Sequence, residues 1–322
     1  MADNQKPILI VRLGAMGDIV HALPAAASLK LSFPERRVVW VVARKWMPLL
    51  EGNPHLDSLV PFERRSAAGL AATWKRLRAV RPGLAIDFQG LIQSAVAGRV
   101  AAPDYFFGLD RQLARERAAT FFYTTAVRAI GPHRVQRCLQ LAAAAGADKL
   151  TEDAWLPQGR AEGNLPDGHF VLANPFAGWV SKQWPIEFYD QLAQRLQAEG
   201  LPLVVNVPES RASELSEFKN LQIHSSSISG LIYATRRATA VIGVDSGPLH
   251  IAAALRKPGV AVYGPTDPAQ TGPFNSPITV LRAATQTTYK RDDQIHPSMK
   301  AISPEQVANA LMQSLNAAVS LS

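Results

Sequence analysis

The chain has a single cysteine, Cys138, in 322 residues. That excludes an internal disulfide framework and any cysteine-rich metal site, and a lone thiol fits a reducing compartment, where it reads as a small buried side chain. No uninterrupted apolar run reaches membrane-spanning length. Near the amino terminus the apolar run is broken by Arg12 and then Asp18, with no small-residue cleavage site, so no secretory signal is expected and the protein reads as cytoplasmic. There is no Walker-A loop, no GxGxxG, no Asp-x-Asp pair to bridge a diphosphate through a metal, and no cluster of metal ligands. Neither a metal nor a cofactor is expected. The basic residues are not interleaved with aromatics, as single-stranded nucleic acid would require, and no nucleic-acid partner is expected.

What is present is unevenly charged. Residues 1–160 hold 22 Lys and Arg against 13 Asp and Glu, and the remainder holds 12 against 13, so the net charge of +8 is about +9 in the first half and about −1 in the second. A basic half suits an anionic partner, either an acidic substrate, an acidic membrane surface or nucleic acid, and the alternative is a solvated basic surface.

The first organising stretch is ILIVRLGAMGDIVHALP, Ile8 to Pro24. Four apolar residues read as a buried parallel strand, two glycines as a sharp turn, and the helix is expected to start at Asp18. Asp18 reads either as a helix cap or as a carboxylate at the strand's mouth, placed to accept a proton from a neutral hydroxyl. It would repel a phosphate there, so this turn is not expected to bind one.

Strand and helix then alternate: VVWVVA at 38–43, a short strand ending at Phe62, a helix over 69–81 and LAIDFQG at 84–90. The helix over 69–81 carries Leu70, Trp74 and Leu77 on one side and basic residues on the other, which fits either a core-facing stripe or a helix lying on anionic lipid. Two helical stretches are expected over 111–130 and 132–147, lined by Arg111, Arg115, Arg117, Arg128, Arg134 and Arg137, a lining that suits carboxylates or phosphates on an acceptor. The aperiodic segment 151–169 marks a domain boundary. After it come strands at 170–175, 201–207, 221–224, 240–244, 259–264 and 278–281, with helices at 187–199, 210–219, 229–236, 247–256 and Pro304 to Val319. Two doubly wound α/β halves facing each other across a cleft are expected, 1–160 and 161–322, with the last helix able to pack back on the first domain.

Two motifs in the second half carry chemistry. In VIGVDSGPLHIAAAL, 241–255, a strand runs into Asp245 and Ser246, Gly247 permits close approach, and His250 lies one turn into a helix whose free amides suit a diphosphate. In NPFAGWVSKQWP, 174–185, a small-residue loop precedes Lys182, a point charge suited to a leaving diphosphate, though a surface lysine reads the same. Glu209 stands after a strand, where acidic residues bind ribose hydroxyls in nucleotide folds.

RLGAMGDIVHALPA, DFQGLIQS, SKQWP, VDSGPLHIAAAL and YGPTDP, in this order and spacing, resemble the family 9 glycosyltransferases, the bacterial ADP-heptose heptosyltransferases. The middle stretch, DFQGLIQS through HRVQR, is most similar to the branch that adds the first heptose to Kdo on lipid A. The resemblance implies a GT-B fold and inverting, metal-independent transfer of L-glycero-D-manno-heptose from ADP-heptose. It matches Asp18 to the general base. It also matches Lys182 to the diphosphate, Glu209 to the ribose, Ser226 to the edge of adenine, and Asp245, Ser246, Gly247 and His250 to the donor loop and helix. Ala177 and Gly178 stand where the branch commonly has paired threonines, so backbone amides would replace two hydroxyls. Arg64, Arg65, Gln89 and Arg115 are the expected acceptor contacts. Kdo carboxylates, lipid A phosphates and the anionic inner face of the cytoplasmic membrane would all attract the basic half, which implies a peripheral membrane enzyme.

Overall fold

The computed structural model describes residues 5–319 except 216 and 285. The chain divides into two units, Met1–Pro157 and Gln158–Ser322.

The first unit runs β1 (Ile8–Val11), α1 (Met16–Ser32), β2 (Val38–Ala43), β3 (Ser58–Phe62), α2 (Ala67–Val80), β4 (Leu84–Asp87), α3 (Ile92–Val100), β5 (Tyr105–Leu109), β6 (Thr125–Val127) and α4 (Arg134–Ala144). Its six parallel strands are ordered β3-β2-β1-β4-β5-β6. Every residue of β1 is fully buried, as a central strand covered on both faces requires. The strand order reverses between β1 and β4, and the crevice beyond such a reversal is where open α/β sheets bind ligands.

The second unit repeats the plan with β7 (Val171–Asn174), α5 (Ile186–Ala198), β8 (Leu203–Val207), β9 (Gln222–Ser225), α6 (Ile228–Arg237), β10 (Ala240–Val244), α7 (Gly247–Ala254), β11 (Gly259–Tyr263), α8 (Pro268–Thr271), β12 (Ile278–Arg282), α9 (Pro297–Lys300) and α10 (Pro304–Val319). Its order is β12-β11-β10-β7-β8-β9, again all parallel, with the reversal between β10 and β7.

Two expectations change. Residues 111–130 are not a helix: Arg117–Phe122 is a 3-10 turn and Thr125–Val127 pairs with β5 as the sheet's edge, strands too short to register as a periodic pattern. The helix expected at 210–219 is a 3-10 segment, Glu209–Leu215, and residue 216 lies outside the described residues. The apolar face of α10 is used within its own unit. Val307 and Leu311 are fully buried in the core formed with β7, β8, β10 and α5. Each such side chain contributes roughly 1.5–3 kcal/mol by leaving water.

The stripe on α2 also resolves. Leu77 is fully buried and Trp74 packs on Phe62 with ring centroids 6.1 Å apart, so the stripe faces its own sheet while Lys75, Arg76 and Arg78 stay exposed. Residues 151–169 have no regular structure but are tied down on either side of the unit boundary. The Thr151 amide donates to Ser28 Oγ at 3.0 Å in the first unit, and the Arg160 amide to the Ser229 carbonyl at 3.2 Å in the second.

Candidate active site

Asp18 is the third residue of α1 rather than its cap: the helix starts at Met16, and the carboxylate reaches back to the Ala15 amide at 3.4 Å. The preceding turn needs a glycine at position 14, because a Cβ there would stand 2.8 Å from the Trp46 indole nitrogen.

Three guanidinium groups converge on this one carboxylate. Arg12, the residue after β1, lies 2.6 Å from Oδ2, Arg115 lies 2.7 Å from the same oxygen, and Arg134, the first residue of α4, bonds Oδ1. Arg12 is buried and also donates to the Phe88 carbonyl. Burial alone raises the proton affinity of Asp18, but Arg12, Arg134, Arg115 and His21 outweigh it and hold the carboxyl well below the usual carboxylate range. These groups line a cavity of about 100 Å³ together with Gln89, Arg137 and Cys138. Burial pushes the Cys138 thiol up to about 11, so it is protonated and no nucleophile at neutral pH.

The depressed carboxyl predicts a pH dependence of stability. In the unfolded chain Asp18 takes up a proton near pH ~4, while in the folded protein it stays ionised. Its stabilising contribution is therefore complete above pH ~4 and is lost as pH falls from there through the folded value. Urea unfolding should show the wild type losing stability between pH 5 and pH 3 more steeply than Asp18→Asn; parallel slopes would contradict this.

The loop after β4 frames the same site. Asp87 is fully buried, with Oδ1 accepting from the Gln89 amide at 2.8 Å and the Gly90 amide at 3.2 Å, and Oδ2 accepting from the Ser94 and Tyr123 hydroxyls, both at 2.8 Å. Burial raises its proton affinity, and the four donors act against that. The ordered loop uses Gln89 Oε1 to accept from the Leu13 amide at 2.7 Å and the Gly90 carbonyl to accept from the Glu116 amide at 2.9 Å. Gly90 has φ +69°, and a Cβ there would meet the Arg115 amide nitrogen at 3.2 Å. One buried carboxylate thus fastens both the Asp18 turn and the segment carrying Arg115. Asp87→Asn is expected to cost about 3 kcal/mol and Tyr123→Phe about 2 kcal/mol in urea unfolding, because the first replaces an acceptor oxygen facing buried donors and the second removes one hydrogen bond to a charged group. Losses under about 0.5 kcal/mol would show that the cluster is not what orders the loop.

Arg64 and Arg65 lie apart from Asp18, in a separate cavity of about 520 Å³ beyond β2 and β3 that they share with Arg44, Lys45 and Ser66. Of the expected acceptor contacts, the fold therefore places Gln89 and Arg115 at Asp18 and the arginine pair in a second basic recess.

In the second unit the residues gather at its own reversal point. Lys182 Nζ, after β7, lies 3.0 Å from Asp245 Oδ2, after β10; both are largely buried. His250 Nε2 lies 3.8 Å from Asp245 Oδ1, and the hydroxyl of fully buried Tyr263 stands beside the same carboxylate. Ser246 is the N-cap of α7, with its buried Oγ making no hydrogen bond among the described residues, and Gly247 and Pro248 open the helix. Trp179 carries the Lys182 ammonium 4.8 Å from its ring centroid and the Arg291 guanidinium 5.3 Å away. Around Gly178 a Cβ would meet nothing within 4 Å, so the Ala177–Gly178 backbone is open to a ligand. Glu209 is exposed at the end of β8. Ser226 donates to Asn206 Oδ1 at 2.7 Å, and Asn206 Nδ2 donates to Asn174 Oδ1 at 3.3 Å, linking the ends of β9, β8 and β7. Among the described residues no group of three or more His, Cys, Asp or Glu could hold a metal ion.

Sequence reasoning reads Asp87 as a polar group at a strand's carboxyl end, but it does not single out Arg12, Tyr123, Asn174, Asn206 or Tyr263. All but Tyr123 are polar-capable residues at or next to a strand's carboxyl end, which is the signal that could have found them.

Two Rossmann-like units, each with charged residues at its topological reversal, form a GT-B transferase. Residues 70–299 match glycosyltransferase family 9 (heptosyltransferase), and the chain belongs to that family. It is 31% identical over 287 residues to lipopolysaccharide heptosyltransferase 1 of Pseudomonas aeruginosa, spanning 83% of this chain and 81% of that protein. The fold matches the Escherichia coli heptosyltransferase WaaC with ADP at TM-score 0.79 and 26% identity, covering 96% of this chain and 99% of that one. WaaC with ADP-2-deoxy-2-fluoro heptose matches at TM-score 0.76 and 25% identity, covering 95% and 99%.

Proposed function

We propose that this transferase moves a heptose from ADP-heptose to a Kdo residue of lipid A, the first heptose of the lipopolysaccharide inner core, with inversion and without a metal. The observation that carries the reading is Asp18, a lone carboxylate at a strand mouth ringed by arginines, in the unit that bears the positive charge. Those cations suit an acceptor bearing carboxylates and phosphates, and the relatives' names supply the donor class.

The second unit holds the donor. Backbone amides of Ala177 and Gly178, Lys182 and the start of α7 at Ser246 and Gly247 receive the diphosphate; Glu209 takes the ribose, Ser226 borders adenine, and Asp245 and His250 contact sugar hydroxyls or orient the loop. The first unit holds the acceptor through Arg115, Gln89 and the Arg64–Arg65 recess. Asp18 accepts the acceptor hydroxyl's proton while that oxygen bonds to the anomeric carbon, and the carbon–phosphate oxygen bond breaks with its electron pair leaving on ADP. Lys182 and the helix terminus stabilise the charge that develops there. No described helix is long and apolar enough to cross a membrane, and the protein works as a peripheral enzyme on the cytoplasmic membrane's inner face, held by its basic half.

The test is mass spectrometry of Kdo-lipid A incubated with ADP-heptose, EDTA and the purified protein, beside an acceptor that already carries the first heptose. Addition of one heptose to the unheptosylated acceptor alone supports the proposal. Transfer only to the heptosylated acceptor would make this an enzyme of a later step.

A further inference from the structure

The reading of Asp18 as a base contains a tension. A carboxylate gripped by three guanidiniums is a poor proton acceptor, yet transfer requires one. The three are not alike. Arg12 is almost completely buried and anchored by the Phe88 carbonyl, whereas the side chains of Arg115 and Arg134 are 40% and 35% exposed. Arg115 comes from the turn after β5 and Arg134 from the first position of α4, so each can turn outward without disturbing β1 or α1. The remaining groups around the carboxylate are His21 of α1, which stacks edge-on against His133 at 5.2 Å, and Arg137 and Cys138 of α4. The pocket holds one carboxylate against at least three fixed positive charges, and an entering anion relieves that excess.

We propose that Arg115 and Arg134 restrain Asp18 while the acceptor site is empty and turn to the acceptor's own anionic groups when it binds, releasing the carboxylate to take the hydroxyl proton. This rests on the reading of Asp18 as the base. Bidentate pairing of an arginine with an incoming carboxylate or phosphate replaces the bond it gives up, so the exchange needs no unpaired charge. Arg12 stays behind to keep Asp18 oriented. The restraint also guards the donor: water that enters before the acceptor meets an idle base, and ADP-heptose is not hydrolysed to free heptose and ADP.

Three measurements on wild type, Arg115→Gln, Arg134→Gln and the double variant test this. Transfer to Kdo-lipid A should fall at least tenfold in the double variant, with a raised KM for the acceptor. Hydrolysis of ADP-heptose without acceptor should instead rise about tenfold, and the rise should vanish when Asp18→Asn is added. In carboxyl-labelled wild-type protein, the NMR titration of Asp18 should move to higher pH when free Kdo is added. Hydrolysis that falls or stays level in the double variant while ADP-heptose still binds would overturn the proposal, as would an Asp18 titration indifferent to Kdo. If the wild type neither transfers nor hydrolyses ADP-heptose, the functional reading fails, and a Kdo titration that leaves Asp18 unmoved removes the restraint as well.

Discussion

Asp18→Asn is expected to slow heptosyl transfer by about 10³-fold, within the range that a positioned general base contributes, while ADP-heptose binding measured by calorimetry stays within about twofold. The amide keeps the shape of the side chain and loses the proton acceptor. It also removes the charge facing Arg12, and breaking such a buried pair costs about 3 kcal/mol, moderated here because the Phe88 carbonyl still holds that guanidinium. Rates and folding should therefore be measured at a temperature where both proteins are fully native. Retention of transfer within tenfold would remove Asp18 from the proton chemistry.

Lys182→Met should lower kcat by about 10²-fold, the cost of losing one preorganised group on a developing negative charge. The pair with Asp245 makes the interpretation specific. At 3.0 Å the ammonium neutralises a carboxylate that is only 9% exposed, so its loss takes the lysine cation from Asp245 next to the proposed phosphate site. ADP affinity should drop for two reasons, the missing cation and the uncovered anion. Adding Asp245→Asn should then restore part of the ADP affinity without restoring the rate, a non-additivity that calorimetry and kinetics read separately. A double variant that binds ADP no better than the single would show that Asp245 does not repel the diphosphate.

The central strands were legible because burial on both faces writes them as unbroken apolar runs, as in ILIV at 8–11 and AVIGV at 240–244. β5 and β6 were not. β5 is a five-residue segment, YFFGL, that opens on an exposed tyrosine and is interrupted by a glycine, and Thr125 to Val127 form a three-residue edge too short for alternation or an apolar run to develop. The site was legible where motif residues sit in consecutive positions after a strand, as with Asp245 to Gly247. It was illegible where the candidate site is built by convergence: Arg12, Arg115 and Arg134 are far apart in the chain, and the fold brings them to one carboxylate. Asp87 was legible as the polar end of its strand, but not the four donors from three segments that gather on it.

The most direct measurement of the central claim is the anomeric configuration of the transferred heptose relative to the donor, read by NMR of the isolated product. A single in-line displacement by a hydroxyl deprotonated at Asp18 inverts that centre. A product that retains the donor's configuration would contradict it, because retention requires a second displacement or a same-face path for which Asp18 has no role as base.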